Sequence, residues 1–587
     1  MGRVSTDALP EPAEESTRRL REALRTARFT ADGLLELLGA PAYAALARGE
    51  TVPALRATRG EGPLETLVRL FLLQQPVPYE SARAVLPVEE ALAGNWLEWA
   101  GEAPEGGPDD AAGAGAHPGA AVRAVVDVRP YSGPEDQDWW IVSDLGCAVG
   151  GAGGIGSARD AGAPAGPGGS EGPGGPEGAT GSARAAGAAG AGREGDAAGL
   201  VLGVGGASTT LAGITVRGPA ARALDLGTGS GIQALHVSRF ATRVTATDLN
   251  PRALRMTRLT LALSGAPEAE LREGSLFEPL DGAEPYDLIV SNPPFVISPG
   301  ARFTYRDGGM TGDALCRTLV ERSAVYLAPG GYCQLLANWE HRADEDWRAR
   351  VSSWVPAGCD AWIVQREVQD VTQYAELWLR DAGDHQRDRA TYAARYDAWL
   401  EEFEARGTKA VGFGWITLRR TEAERPSVLA EEWPHPVEQP LGDVVSSHFE
   451  RQDFLRETSD AALLEHRFVL ADEVVQEQVG LPGAEDPEYV VLRQNRGMRR
   501  ATTVDTVGAG FAGVCDGTLS AGRILDAIGQ LLGEDPAELR ARTPESIRLL
   551  VEQGFLTPVD AGQFGAATAV KSAVPGEGNL GNGVAGA

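Results

Sequence analysis

ALDLGTGSGIQAL, residues 223–235, reads as a strand that turns through glycine into a helix. Ala223, Leu224 and Leu226 belong to the strand, Gly227-Thr228-Gly229-Ser230-Gly231 to the turn, and the apolar residues from Ile232 onward to the helix. Glycine is needed where a chain swings sharply from strand to helix and a ligand lies against the backbone, because a Cβ would collide with that ligand. The amino end of the helix adds unpaired N–H donors. The turn alone leaves alternatives open. Gly229, Gly231 and Ala234 also satisfy the G-x-G-x-x-A dinucleotide pattern, so a nicotinamide or flavin enzyme is one reading.

Two acids narrow the choice. Asp225 sits two residues before the first glycine, where a carboxylate suits a cationic ligand. Asp248, in VTATDLNP, closes the next strand 23 residues later and suits a ribose diol. Together, at the ends of successive strands, they favour an adenosyl ligand. The deciding feature is YDLIVSNPPFVIS, residues 286–298, in which a strand ending at Ser291 runs into Asn292-Pro293-Pro294-Phe295. The two prolines fix the backbone and remove two N–H groups, leaving carbonyls free for a cleft. The Asn292 side-chain oxygen and the Pro293 carbonyl can then accept both protons of an –NH₂ group, while Phe295 offers a flat face to a planar amide or base. A rigid turn after a strand is the bland reading of Asn-Pro-Pro. Its place at a strand end, one α/β unit past the second acid, favours the functional one, since ligands collect at the carboxyl ends of strands in such sheets.

On these motifs, residues 200–340 resemble the class I S-adenosylmethionine-dependent methyltransferases of the N-P-P-[FY] branch. That branch includes release-factor glutamine methyltransferases and small-domain methyltransferases of exocyclic amines in nucleic acids. The resemblance implies that S-adenosylmethionine is the cofactor, with Asp225, Gly227, Thr228, Gly229, Ser230 and Gly231 around its methionine portion. It implies Asp248 at the ribose, and Leu249 and Asn250 beside the adenine. Asn292, Pro293, Pro294 and Phe295 would hold the acceptor, with Asn292 also bordering the cofactor. Family members often carry an acid in the adenine-contacting loop; here EGSLFEP puts Ser275, followed by Leu276, at that place. GGASTTLA, residues 205–212, suits closure over the cofactor through Ser208, Thr209 and Thr210, or a plain helix cap. TYRDGGMTGD, residues 304–313, resembles the loop after the signature in glutamine methyltransferases, which suits Arg306 and Asp307 as substrate contacts or equally a plain surface turn.

The rest of the chain sets the frame. Of 587 residues, 75 are glycine and 37 proline, and the formal net charge is -29. That field repels phosphate backbones at long range and argues against extensive binding of naked nucleic acid. The five cysteines, Cys147, Cys316, Cys333, Cys359 and Cys515, form no C-x-x-C pair, so neither a metal site nor a disulfide framework is expected. The start lacks the apolar core of a signal peptide and no apolar run approaches ~18 residues, so a soluble cytoplasmic protein without membrane contact is expected.

The expected fold is α/β: a doubly wound, Rossmann-like methyltransferase sheet over 200–420, with a helical N-terminal domain over 1–100. Thr30 caps a helix there that stops at Gly39, and Pro41 opens the next. Residues 101–145 form a linker and two strands, and 146–199 a disordered Gly/Ala-rich insertion. Strands are expected at 222–226, 243–247, 286–291 and 331–338, with 361–365 and 411–418 as an antiparallel edge pair. Residues 421–560 form an accessory domain whose helices and short strand resemble a winged helix, and 561–587 a disordered tail.

The expected activity is N-methylation of a planar amide or amine nitrogen, most of all a protein glutamine, as in a translation factor. The alternatives are an adenine or guanine amine of ribosomal or transfer RNA, and a non-catalytic protein that binds S-adenosylmethionine or a nucleotide. His236, one turn into the first helix, reads as structural rather than as a base.

Overall fold

The computed structural model describes residues 9–101, 120–146, 199–299, 310–381, 384, 388–482 and 487–559. Most of the insertion (147–198), the tail, Cys147, Arg306 and Asp307 lie outside them. The chain divides into two compact units, Met1–Pro434 and His435–Ala587.

The first unit is built on an eight-stranded sheet: β1 (Ala220–Leu226), β2 (Ala241–Asp248), β3 (Glu270–Glu273), β4 (Tyr286–Ser291), β5 (Leu327–Arg342), β6 (Cys359–Asp370), β7 (Thr408–Arg420) and β8 (Val428–Glu432). The spatial order is β8-β6-β7-β5-β4-β1-β2-β3. Strands β3, β2, β1, β4 and β5 run parallel, whereas β7 is antiparallel to both β5 and β6. The apolar runs of β1 and β4 are buried, as a strand covered on both faces requires. Helices α1 (Gly206–Ile214), α2 (Ile232–Val237), α3 (Pro251–Ser264) and α4 (Ala314–Tyr326) connect or flank these strands. Between β6 and β7 two more helices are inserted, α5 (Val371–Asp381) and α6 (Arg389–Arg406).

The pair β6–β7 is antiparallel as its sequence suggests, but it is not the sheet edge. Strand β8 adds parallel to β6 on the outside, extending the sheet beyond the expected limit at 420. Buried Asp360 makes this possible: it accepts the Ser427 N–H at 2.7 Å and pairs with Arg419 at 2.6 Å, turning the chain back onto β6.

Residues 9–101 are mostly helical, with short strands Val77–Pro78 and Leu97–Trp99 paired on either side of Ala121–Ala124, and they are not a body apart. Leu20, Leu24, Phe29, Phe71, Trp96 and Trp140 share one core with Ala253, Met256, Leu259 and Leu263 of α3. Arg21 donates to the carbonyls of Leu263 (2.9 Å) and Ala262 (2.6 Å), satisfying the open end of α3. Thr30 accepts the Gly33 N–H as a cap, and Gly39, at φ +70°, breaks the helical run before Pro41. The hairpin Asp127–Ser132/Asp138–Ser143 hangs on α3 through Val142 N–H to Thr260 and Trp140 N–H to Ser264, both 3.0 Å.

The second unit holds two three-stranded antiparallel sheets. In one, Arg467–Leu470 lies between Asp516–Ser520 and Leu556–Val559; the other is the meander Val474–Val479, Tyr489–Gln494, Ala501–Val504. Helices Ala521–Leu532 and Pro544–Glu552 pack Ile524, Leu525, Ile547 and Leu550 against Phe468, Phe511 and Phe555. Helices followed by a short strand are present at 521–559 as expected, but they pack in a unit of two separate three-stranded sheets, and these elements do not establish a winged helix.

Asp127 is fully buried, and neither carboxyl oxygen has a hydrogen bond among the described residues; Gln74 and Arg129 lie near it without closing one. Burial pushes its pKa up to about 7. The folded chain therefore keeps a proton that an unfolded aspartate sheds near pH ~3.9, and stability falls as pH rises from about 4 to about 7. Asp127→Val is expected to exceed the parent in stability by roughly 2–3 kcal/mol at about pH 8 and to flatten that slope. Urea unfolding at acid and alkaline pH measures both.

Candidate functional site

The site begins with the register of two strands. Asp225 stands opposite Val290 and Leu226 opposite Ser291, and the Ser291 hydroxyl donates to the Leu226 carbonyl at 2.8 Å. The glycine turn after β1 and Asn292-Pro293-Pro294-Phe295 after β4 therefore leave the sheet side by side, at the carboxyl ends of adjacent parallel strands.

The turn is held by carboxylates. Asp225 is buried, and its Oδ2 accepts the Thr228 hydroxyl (2.6 Å) and the Ala234 N–H (2.9 Å). Burial pushes its pKa up to about 7. The structure thus turns Asp225 inward as the tie across its own loop, where the sequence suggested a contact for a cationic ligand. Thr228 also meets Thr257 of α3 at 3.2 Å, and Thr257 donates to the Gly229 carbonyl. Asp248 accepts the N–H groups of Gly229 (3.0 Å) and Asn250 (2.9 Å), and burial raises its pKa above the usual carboxylate range.

The glycines differ in what surrounds them. A Cβ on Gly227 (φ +76°) or Gly229 (φ +57°) would meet nothing within 4 Å, so both face open space. One on Gly231 (φ +84°) would lie 2.9 Å from the Thr257 Cα, so that glycine serves the packing of the turn on α3. Ser230 is buried beside them. Leu249 is 70% exposed next to Asp248, an apolar surface at the rim of the same cradle. Asn250 is committed otherwise: its Oδ1 caps α3 at Arg252 N–H and its Nδ2 donates to the Gly199 carbonyl, both 3.0 Å. Ser275 is half-buried, with its carbonyl accepting the Glu278 N–H, and Leu276 takes a left-handed φ of 49°.

After β4, Asn292 Nδ2 donates to the Ser208 hydroxyl at 3.3 Å, and Gln233 Nε2 donates to the Ser208 carbonyl at 2.7 Å. Of the three hydroxyl residues in α1, Ser208 reaches the signature; Thr209 bonds back to Gly206 and Thr210 is buried. Pro293 is buried, Pro294 is half-buried, and Phe295 packs against the core of Leu226, Leu315, Cys316 and Trp339. Beside Phe295 lies a small recess reached by Met310, Asp313, Cys316 and Asn338.

Two residues with no motif to announce them complete this wall. Tyr374, on inserted α5, takes the Ile297 N–H at 2.9 Å and the Asn338 amide at 3.1 Å on its hydroxyl. Tyr374 lies 82 positions from Asn292, so local spacing gives no sign of it; its partner Asn338 is a buried amide on β5. His236 bonds Tyr131 at 2.9 Å and is edge-on to Trp139, and burial lowers its pKa to about 4, which leaves it neutral and structural. Among the described residues no cluster of His, Cys, Asp and Glu could hold a metal, and no helix is long and apolar enough to cross a membrane.

Residues 206–352 match the family model of the methyltransferase small domain, and 26–106 and 446–558 each match a domain of unknown function. The release factor glutamine methyltransferase of Deinococcus radiodurans is 40% identical over 124 residues, 19% of this chain and 43% of that protein. The ribosomal RNA small subunit methyltransferase C of Alcanivorax borkumensis is 28% identical over 123 residues, 21% of this chain and 34% of that protein. A methyltransferase structure from Pyrococcus furiosus, 24% identical, covers 23% of this chain and 61% of its own, with a TM-score of 0.17. The chain thus spans less than half the length of these curated relatives.

If Gly227 and Gly229 face the ligand and Gly231 faces α3, alanine separates them. Gly229→Ala is expected to weaken S-adenosylhomocysteine binding ~5-fold or more, the equivalent of ~1 kcal/mol. Gly231→Ala is expected to lower the melting temperature more than Gly229→Ala does, because its Cβ meets backbone. Isothermal titration and thermal melts read the two effects.

Proposed function

We propose that the class I S-adenosylmethionine-dependent methyltransferase domain formed by residues 206–352 transfers a methyl group to a planar amide nitrogen, that of a protein glutamine side chain. The observation that carries this is the placement of Asn292-Pro293-Pro294-Phe295 beside the glycine turn on adjacent parallel strands, in one register. The cofactor fits the residues present. Gly227 and Gly229 leave open the space that a side chain would fill, the Asp248 carboxylate stands at its edge, and Leu249 offers an exposed apolar surface for the adenine.

When bound, the cofactor supplies an electrophilic methyl group on a sulfonium. The protein's part is orientation. An amide nitrogen is a poor nucleophile because its lone pair is delocalised into the carbonyl. Asn292 Oδ1 and the Pro293 carbonyl accept its two protons, favour a more tetrahedral nitrogen and aim the lone pair. Ser208 helps fix the flip of the Asn292 amide, since it takes the Nδ2 proton and leaves Oδ1 for the substrate. Phe295 supplies the stacking face. These groups act through preorganisation, with no strong base needed before attack; the proton leaves to water once the nitrogen has become cationic.

A second reading, methylation of an exocyclic amine in RNA, is favoured by the similarity to the ribosomal RNA methyltransferase. The helices inserted beside the acceptor recess weigh against it. From 366 to 406 the segment carries more acidic than basic side chains, a poor surface for a phosphate backbone.

Tritiated S-adenosylmethionine and cell extract test the proposal, with parallel ribonuclease and protease treatment of the products. The expected label survives ribonuclease and is lost to protease; the reverse pattern discards glutamine for RNA. Asn292→Ala is expected to lower labelling at least ~100-fold while S-adenosylhomocysteine affinity stays within ~3-fold, the signature of an interaction made with the acceptor. Normal turnover by that variant would leave the acceptor assignment untenable.

A further inference from the structure

The recess beside Phe295 is lined from two segments that no motif connects: Met310, Gly312 and Asp313, just ahead of α4, and Asn338 on β5. Asn338 is held by its bond to Tyr374. The segment 310–313 has no such apolar support, since Met310 is 42% exposed and Gly312 has no side chain. Something else must fix it.

Asp313 supplies one hold. Its buried carboxylate accepts the Glu340 N–H at 2.9 Å and both arms of Arg350, at 2.7 and 2.8 Å. Arg350, on the helix Trp347–Ser352, also donates to the Glu340 carbonyl at 3.3 Å. The Glu340 side chain supplies the second hold. It stands two positions past Asn338 on β5, wholly buried, and its carboxylate accepts Arg406 Nε at 2.6 Å and Arg342 Nη2 at 3.0 Å. Gly312, at φ +62°, packs straight onto this pair. A Cβ there would lie 3.3 Å from both Glu340 carboxylate oxygens and 3.4 Å from Arg406 Nε.

Arg406 is the last residue of inserted α6. It also pairs with Glu402, and its guanidinium lies 5.5 Å over the ring of Phe403, which shares a core with Tyr374. Its Nη2 is sealed from solvent without an acceptor among the described residues, so the arrangement carries a cost. The inserted helices thus reach the recess twice, through Tyr374 to Asn338 and through Arg406 and Glu340 to Gly312. A carboxylate buried between guanidiniums adds little net stability over apolar residues of the same size, because desolvation cancels most of the attraction. What such pairs do supply is direction, through hydrogen bonds of fixed geometry on a segment that apolar contacts do not grip.

We propose that Glu340 and Arg406 are positioning residues for the methyl acceptor. Together they set 310–313 as a wall of the recess, against which the protein chain bearing the target amide seats. The inference rests on methyl transfer at Asn292-Pro293-Pro294-Phe295, and neither residue has a part in that chemistry or in the glycine turn. Their loss is therefore felt in the hold on the acceptor while the hold on the cofactor persists.

The test uses the full chain, tritiated S-adenosylmethionine and increasing amounts of cell extract, reading protease-sensitive label. The informative variant is the double replacement Glu340→Leu with Arg406→Met, which exchanges the pair for apolar side chains. It is expected to melt no lower than the parent and to bind S-adenosylhomocysteine within ~2-fold, yet to need at least ~5-fold more extract for half-maximal labelling. Arg406→Lys, which keeps a cation opposite Glu340, is expected to lose less than Arg406→Met. Arg389→Gln, an exposed arginine on the same helix, should label like the parent. Parent-like half-saturation in the double variant overturns this role alone. So does a loss matched by an equal fall in cofactor affinity or in melting temperature, since that is the mark of a merely structural pair. A parent chain that yields no protease-sensitive label overturns the glutamine reading and this role with it.

Discussion

Everything the first unit can do depends on β1 and β4 lying side by side in one register, locked where the Ser291 hydroxyl meets the Leu226 carbonyl. A parallel pair carries both chains out of the sheet at the same end, so two loops distant in sequence open together. One loop is rich in glycine and has space where side chains would be; the other is stiffened by two prolines and presents acceptors. A slip of one residue would exchange the faces of every side chain on the moving strand. The common exit of the two loops is thus a consequence of strand register before it is a matter of any single side chain.

The two aspartates illustrate how the fold spends polar groups to keep that cleft shaped. Asp225 ties its own turn through Thr228 and Ala234, and Asp248 reaches the N–H of Gly229 from the next strand. A turn with three left-handed glycines has little stiffness of its own. Carboxylates accepting backbone N–H groups supply it, at a desolvation cost visible in the raised pKa of both acids. Asp248, which holds the Gly229 and Asn250 N–H groups, is only partly buried, whereas Asp225 is sealed beneath its own loop.

Much of this was legible in the sequence because it rests on short-range rules. A strand running into glycines, a Thr cap at residue 30, a break at Gly39 and a proline pair after a strand each declare themselves within a few residues. The inward turn of Asp225 was not legible: residue type and position agree with either orientation, and only the closed loop decides. Strand β8 was missed because VLAEE lacks a β-branched run and is recruited by a buried Asp360 some 68 residues earlier. The N-terminal helices gave their caps correctly, but nothing local says that their apolar faces share a core with α3.

The wall behind Phe295 shows the same limit most sharply. Strands β5, β6 and β7 are long, and the helices between β6 and β7 bring Tyr374, Trp399 and Phe403 into one cluster with Val296, Ile297 and Phe413. Tyr374 then receives two donors on its hydroxyl, one from the backbone just past Phe295 and one from Asn338 beside the recess. Its own pKa is raised by burial, so it stays a neutral phenol that orders both groups. The glycine turn is thus fixed by elements of the sheet and its flanking helices, whereas the segment leaving Asn292-Pro293-Pro294-Phe295 is fixed by an insertion. Such a division lets one end of a cleft keep its geometry while the other is shaped by whatever helices the chain places between β6 and β7.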